Sequence, residues 1–392
     1  MTLSPADTDR LLRDGVAAMQ RHDARAARQA FETVAAAVPP GQPGPWLLVA
    51  QACRLDRDDA AELAALDRLL AEQPRHVRGL IMKGELFDRQ GDGRAAQSFY
   101  RLALSVAETG PAPPPGLAAD LDRARQGVAR EAARYRTHLD ETLARAGLTP
   151  GHMSGRVRQA LALANGEARL FLQEPTSFYF PGLPQIQFYD PADFDWAAEI
   201  EARTEAIAAE LHAVLATRGG FEPYVANDPN RPAKTHRLVD NPDWGAFHLL
   251  RAGPVPGNAE QCPETLAALA LAPQPVIAGR SPMALFSLLR PGTHIFAHNG
   301  MLNTRLICHL PLIVPPGCRL RVGNETRAWE RGQLLIFDDS IEHEAWNDSA
   351  DTRVILLFEI WRPEISADER AALTILFEAI DAYRGAPLDM DG

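Results

Sequence analysis

The spacing of apolar residues changes once along this chain of 392 residues, and that change limits the fold more than any other feature. In the front third, apolar and small residues recur at helical spacing. From about residue 275 onward they form short runs: MALFSLL (283–289), RLICHLPLIV (305–314), CRLRV (318–322), QLLIF (333–337) and RVILLFEIW (353–361). Turn-prone PGT, NGMLN, PPG and ERG separate these runs. Short apolar runs at that spacing predict strands of a sandwich or barrel. A chain carrying both periods needs two cores, one between helices and one between sheets.

The helical part is repetitive. Gly15, Ala27, Phe31 and Pro39 form one set, and Gly84, Ala96 and Tyr100 repeat it two periods of about 34 residues later. Trp46, Leu66, Leu69 and Pro74 fill the unit between, where Ala50 and Glu62 depart from the pattern. Small residues let two antiparallel helices approach, an aromatic fills the gap, and proline stops the second helix. This pattern resembles the tetratricopeptide repeat, and an ordinary helical bundle is the plainer reading. Stacked units of that kind make a concave surface suited to a peptide or protein partner.

Residues 109–116, TGPAPPPG, punctuate the chain as a stiff spacer. Helices are expected over about 117–147, 153–173, 192–218 and 366–384. The expected organisation is multidomain α plus β. Helical repeats occupy 1–108, a spacer with connecting helices 109–174, and a jelly roll (double-stranded β-helix) with flanking helices 175–392.

The net charge of -11 argues against a nucleic-acid partner, because phosphate binding needs a basic field. Lys83 and Lys234 are the only lysines, so an anion site here must be built from arginine or backbone. Cysteines at 53, 262, 308 and 318 have no metal-ligand spacing and are too sparse for a disulfide scaffold. A reduced cytoplasmic location is the expectation. The first residues do not read as a signal peptide, and no run of 18 apolar residues predicts a membrane span.

Two segments carry candidate chemistry: PGTHIFAHNGMLNTRLICHL (291–310) and IFDDSIEHEAWND (336–348). Each puts a histidine, His298 or His343, at the edge of an expected strand. In a jelly roll these strands can lie side by side, so that two neutral imidazoles hold Fe(II) and Arg353 clamps a carboxylate. From spacing alone, a structural His pair is the commoner reading.

The wider text from Phe178 to about Glu364 resembles the aspartyl/asparaginyl β-hydroxylase family, a branch of the Fe(II)- and 2-oxoglutarate-dependent oxygenases. The resemblance rests on FYFPGLPQIQFYDP, Trp244 to Phe247, CPET, FSLLRPGTHIFAHNGMLNTRLICHL, GCRLRV, IFDDSIEHEAWN and IWRPE, in order. It implies that His298 and His343 ligate the metal, and that Ser287, His309 and Arg353 hold 2-oxoglutarate. The family lacks the carboxylate ligand that other relatives place two residues after the first histidine, and this chain has Gly300 there. One departure stands out. Animal members carry at position 307 an arginine that contacts the cosubstrate, and this chain has Ile307.

The implied reaction consumes O2 and 2-oxoglutarate, releases succinate and CO2, and hydroxylates the β-carbon of an Asp or Asn residue. The implied substrate is a peptide, a protein or a smaller amino-acid-bearing molecule, with the repeats free to recruit a partner. A rival reading, favoured by Ile307, is a non-catalytic adaptor with a degenerate jelly roll. A zinc hydrolase is weaker, since zinc usually takes three or more protein ligands. Several nearby residues have blander readings. His294 shares a strand parity with His298, but a structural hydrogen bond is expected for it. Asp338 and Asp339 sit in a turn and are expected to support rather than ligate. Trp346 and Asn347 pack a loop, Trp244 is a core residue by default, and Cys308 points away from His309.

Overall fold

In the computed structural model, which describes residues 3–39, 42–110, 115–217, 220–227 and 238–384, three aspartates start helices in the same way. Asp23, Asp58 and Asp92 each accept the backbone N–H three residues on. Each follows a residue in the left-handed region: His22 at φ 59°, Arg57 at φ 57° and Gly91 at φ 82°. Each also donates its own N–H to the carbonyl five residues back. One turn is therefore used three times, at the repeat spacing, and each copy closes a helical hairpin.

Those hairpins build the first of two compact units, Met1–Glu167 and Ala168–Gly392. The first contains α1 (Pro5–Gln20), α2 (Ala24–Ala37), α3 (Trp46–Leu55), α4 (Asp59–Glu72), α5 (Val77–Arg89), α6 (Gly93–Thr109), α7 (Ala118–Arg145) and α8 (Gly155–Ala164). Small-against-aromatic packing joins the first and third hairpins. The Phe31 ring fills the space a side chain at Gly15 would need, and the Tyr100 ring does so at Gly84. The middle hairpin substitutes buried Ala50 and Leu66. The departure at Glu62 also has a cause, because this fully buried carboxylate pairs with Arg54 at 2.8 Å and Arg89 at 2.6 Å.

Residues 111–114, inside the expected proline spacer, lie outside the described residues. The helix after them, α7, does not merely connect. Its Leu121, Ala124 and Gly127 are buried against the last hairpin. The helix expected over 153–173 stops at Ala164, followed by Gly166 at φ 69°. No helix among the described residues is long and apolar enough to cross a membrane.

The second unit is a β-sandwich. Its strands are β1 (Phe188–Tyr189), β2 (Glu222–Pro223), β3 (Trp244–Arg251), β4 (Met283–Leu289), β5 (His294–His298), β6 (Arg305–Ile313), β7 (Cys318–Val322), β8 (Glu325–Ala328), β9 (Leu335–Phe337), β10 (His343–Asn347) and β11 (Arg353–Trp361). One sheet has the order β1-β9-β6-β11-β4-β3-β2 and the other β5-β10-β7-β8. From β4 onward the chain crosses between the sheets at every step except the β7–β8 hairpin, as in a jelly roll. The helix expected over 192–218 breaks at Arg203 into α9 (Ala197–Ala202) and α10 (Thr204–Ala216). With α11 (Pro263–Leu269) these cover the outer face of the larger sheet, and α12 (Ala367–Arg384) closes the chain.

The larger sheet is buried on both faces, which is why its strands read as continuous apolar runs. On β11, Val354, Leu356, Phe358 and Ile360 pack toward the helices, while Ile355 and Leu357 face the other sheet. On β6, Cys308 goes with the helical side and Ile307 with the interior. Each fully buried Leu, Ile or Phe contributes about 1.5–3 kcal/mol, so the two-faced sheet is a stiff platform for whatever its inner face carries.

Candidate active site

The inner face carries a cavity of about 450 Å³ between the two sheets. His298, His343, Ser287, His309 and Arg353 all line it, so the fold brings the five residues singled out in the sequence to one place. His298 and His343 are direct partners across β5 and β10, and their ring centroids lie 4.1 Å apart. Each ring is fixed by its own strand. The Nδ1 of His298 is 2.7 Å from the carbonyl of Phe296, and that of His343 is 3.1 Å from the carbonyl of Ile341. A carbonyl can only accept, so Nδ1 carries the proton in both rings and Nε2 keeps its lone pair. Burial pushes His343 down to about 4, so it stays neutral and able to ligate. A pair of facing imidazoles, each with its Nδ1 on a backbone carbonyl, suits a first-row divalent metal.

His294 is not a third ligand. Two steps along β10, from His343 to Ala345, face three steps along β5, from His298 to Ile295. This bulge spoils the simple alternation and leaves Ile295, not His294, lining the cavity. His294 instead bonds Glu344 at 3.0 Å and stacks on Trp346.

The absent ligand at Gly300 has a structural counterpart. A Cβ there would collide with the carboxylate of Asp339, which already fills the space. Asp339 lines the cavity, and its Oδ1 is buried with no hydrogen-bond partner. Among the described residues no three His, Cys, Asp or Glu side chains form a closed metal-ligand group. The donor set is therefore the His pair, with the Asp339 carboxylate beside it. Asp338 does other work: it is buried against Arg362 at 2.7 Å and accepts from Gln173 and from Ser340.

Opposite the histidines lies a cation without a carboxylate. Arg353 is buried, donates to the carbonyl of Ser287 at 3.4 Å, and sits with its guanidinium 4.7 Å from the centre of the Trp329 ring. No carboxylate pairs with it among the described residues, and its Nε has no hydrogen-bond partner. Burial lowers it to about 10, the signature of a cation short of counter-charge. Ser287 accepts from Trp244 Nε1 at 3.3 Å, and His309 Nδ1 accepts from Trp329 Nε1 at 3.3 Å. Burial first, then the charges of Arg353 and His343, holds His309 well below its usual range, so its ring is neutral.

Ile307 lines the cavity as expected, and among the described residues no unpaired arginine besides Arg353 lines it. Arg305, two residues away on the same strand face, lines the cavity too, but Glu359 at 2.7 Å and Asp339 at 3.4 Å neutralise it. Arg319 and Arg321 are committed to Asp348 and to Glu342 and Glu344. Sequence reasoning missed Trp329 altogether. It stands in TRAWERG after β8, and no periodic signal marks it. Trp244 proved to be both core and cavity wall, stacked on Tyr224 at 4.1 Å.

Residues 201–363 match the model of the aspartyl/asparaginyl β-hydroxylase family. The aspartyl/asparaginyl beta-hydroxylase of Mus musculus is 40% identical over 138 residues, which is 35% of this chain and 18% of that protein. The ornithine lipid ester-linked acyl 2-hydroxylase of Rhizobium tropici is 40% identical over 179 residues, 45% of this chain and 60% of that protein. The human aspartate beta-hydroxylase domain-containing protein 2 is 30% identical over 217 residues, 54% of this chain and 56% of that protein. The chain thus spans less than two thirds of each of these relatives. A crystal structure of MamA aligns with 42% of this chain at 17% identity and a TM-score of 0.27, too loose a likeness to carry weight. On the matched segment and these relatives, residues 201–363 are similar to the aspartyl/asparaginyl β-hydroxylase family.

Proposed function

We propose that the β-sandwich unit is an Fe(II)- and 2-oxoglutarate-dependent oxygenase that hydroxylates an unactivated carbon. The target we favour is the β-carbon of an Asp or Asn residue in a peptide, a protein or a smaller amino-acid-bearing molecule. The observation that carries this reading is the pairing, in one buried cavity, of two metal-ready imidazoles with a guanidinium that lacks a carboxylate.

His298 and His343 would hold the metal through their Nε2 atoms. When bound, the metal supplies O2 activation coupled to decarboxylation of 2-oxoglutarate, giving succinate and CO2. Arg353, Ser287 and His309 would hold a carboxylate of that cosubstrate. Asp339, which lines the same cavity with its Oδ1 unpartnered, would accept a proton or a hydrogen bond from water there. The apolar walls formed by Ile295, Ile307, Leu320, Ile355 and Leu357 exclude bulk water and strengthen the charge interactions inside.

In this reading the helical unit is a tetratricopeptide-like array that recruits a substrate or partner protein. Its three reused Asp turns and glycine–aromatic contacts support that assignment. The buried, unpaired state of all four cysteines is in keeping with a reduced, cytoplasmic setting. The adaptor alternative rests on Ile307 alone.

The test is turnover. Purified protein with Fe(II), 2-oxoglutarate and O2 is offered Asp- and Asn-containing peptides, and ornithine lipid because of the Rhizobium relative. Succinate formation with a product one oxygen heavier supports the reading. No succinate across the panel, and no binding of 2-oxoglutarate, leaves the adaptor.

A further inference from the structure

We infer that two indoles, Trp244 and Trp329, set the hydrogen-bond polarity of the carboxylate cradle and thereby make it selective for an anion. The inference rests on the proposed role of Ser287, His309 and Arg353 in holding 2-oxoglutarate.

Ser287 and His309 are ambivalent groups. A hydroxyl can donate or accept, and a neutral imidazole does one at each nitrogen. Alone, either could present a lone pair to the cavity and repel a carboxylate. An indole N–H can only donate. Trp244 Nε1 donates to Ser287 Oγ at 3.3 Å, so the serine's own hydrogen is left to point elsewhere. Trp329 Nε1 donates to His309 Nδ1 at 3.3 Å, so the single proton of that neutral ring must sit on Nε2. Arg353 has donors only and stacks on the same Trp329.

The result is a cradle rich in donors: one hydroxyl, one imidazole N–H and one guanidinium, with the second lone pair of Ser287 Oγ as its one remaining acceptor. A carboxylate, which only accepts, satisfies all three donors. A carboxamide of the same shape brings an NH2 group, which finds that single acceptor at most and meets a cation. Ser287, Arg353 and His309 sit on adjacent strands β4, β11 and β6, so the cradle is held by the stiffest part of the fold. Trp244 comes from β3 beside β4, and Trp329 from the segment after β8. The indoles are positioning residues: they act through Ser287 and His309.

The experiment compares two nearly isosteric ligands by calorimetry on the full chain loaded with Mn(II), without O2 or substrate. The ligands are 2-oxoglutarate and 2-oxoglutaramate, whose carboxyl remote from the oxo group is a primary amide, with the affinity of the amide referred to its open-chain fraction because it largely cyclises onto the oxo carbon in water. Wild-type protein should prefer 2-oxoglutarate by at least about a hundredfold. Trp329→Phe and Trp244→Phe keep an aromatic ring but remove the donor. Each should cut that preference by about tenfold, chiefly by weakening 2-oxoglutarate. A merely structural role for either indole would weaken both ligands alike and leave the ratio unchanged. Two variants that hold the wild-type ratio overturn the inference while leaving the cosubstrate assignment standing. If wild-type protein binds neither ligand, the cosubstrate assignment fails and the inference with it. A variant that does not fold is replaced by Trp→Tyr at the same position, read by the same ratio.

Discussion

At the scale of residues, the site is made by what each side chain is denied. His298 and His343 each have Nδ1 held by the carbonyl two residues before them, and Nε2 is the nitrogen proposed to take the metal. His298→Ala and His343→Ala should each lower Mn(II) or Fe(II) affinity by at least about tenfold with the circular-dichroism spectrum unchanged. Wild-type affinity in either variant would remove that residue from the metal site. Arg353 is denied a carboxylate, so Arg353→Ala should raise the half-saturating 2-oxoglutarate concentration by about a hundredfold, in keeping with the loss of a buried charged contact. An unchanged value would mean that another group is the clamp. Gly300 is denied a side chain by Asp339. Gly300→Asp should therefore lose about 1–3 kcal/mol of stability by overpacking, and adding Asp339→Gly should recover much of it. If Gly300→Asp is as stable as wild type in urea denaturation, Asp339 does not occupy that space.

Outside the site, His248 is buried on β3 and held down to about 4, by burial first and by Arg251 second. An unfolded histidine titrates near 6.5. Between about 6.5 and 4 the unfolded chain binds a proton that folded His248 refuses. Its effect on stability is therefore nil above that window and unfavourable below it, by up to about 1.4 kcal/mol per pH unit. His248→Gln should lose less stability between pH 7 and pH 4.5 than wild type, measured by urea midpoints. Equal losses would contradict the assignment. The His pair and Arg353 were legible in the sequence because their spacing fits neighbouring strands. Asp339 and Trp329 were not legible as cavity residues, because their places depend on turns that bring distant segments together.

At the scale of elements, legibility follows periodicity. The helical hairpins and the strands from 283 onward announce themselves by their apolar spacing. Their irregularities do not. The β5 bulge moved His294 off the face that simple alternation gives it, and φ values at His22 and Arg57 hid two of three identical turns behind residues other than glycine. Helix α7 looked like a connector because its outer face is polar, yet its buried stripe completes the last hairpin. The Tyr100 ring there is clamped between Gly84 and Gly127, so it cannot retreat from a new methyl group. Gly84→Ala should accordingly destabilise the helical unit by about 1–3 kcal/mol, despite the better helix propensity of alanine. A rise in melting temperature would show that the clamp is looser than the geometry says.

At the scale of the whole molecule, the chain joins two separately cored units, and the candidate site lies in one of them. Many arginines in both units are tied to carboxylates. Against that background a buried guanidinium with no carboxylate partner among the described residues, in one cavity with the His298–His343 pair, is the feature that calls for a ligand. The most direct measurement is an anaerobic titration of the purified chain with Fe(II) and 2-oxoglutarate, followed by the visible absorption of the iron–2-oxo acid chelate. The account predicts a band that saturates at one iron per chain, requires both additions, is absent in His343→Ala, and needs far more 2-oxoglutarate in Arg353→Ala. No band in the wild-type protein, or the same band with His343 removed, would contradict it.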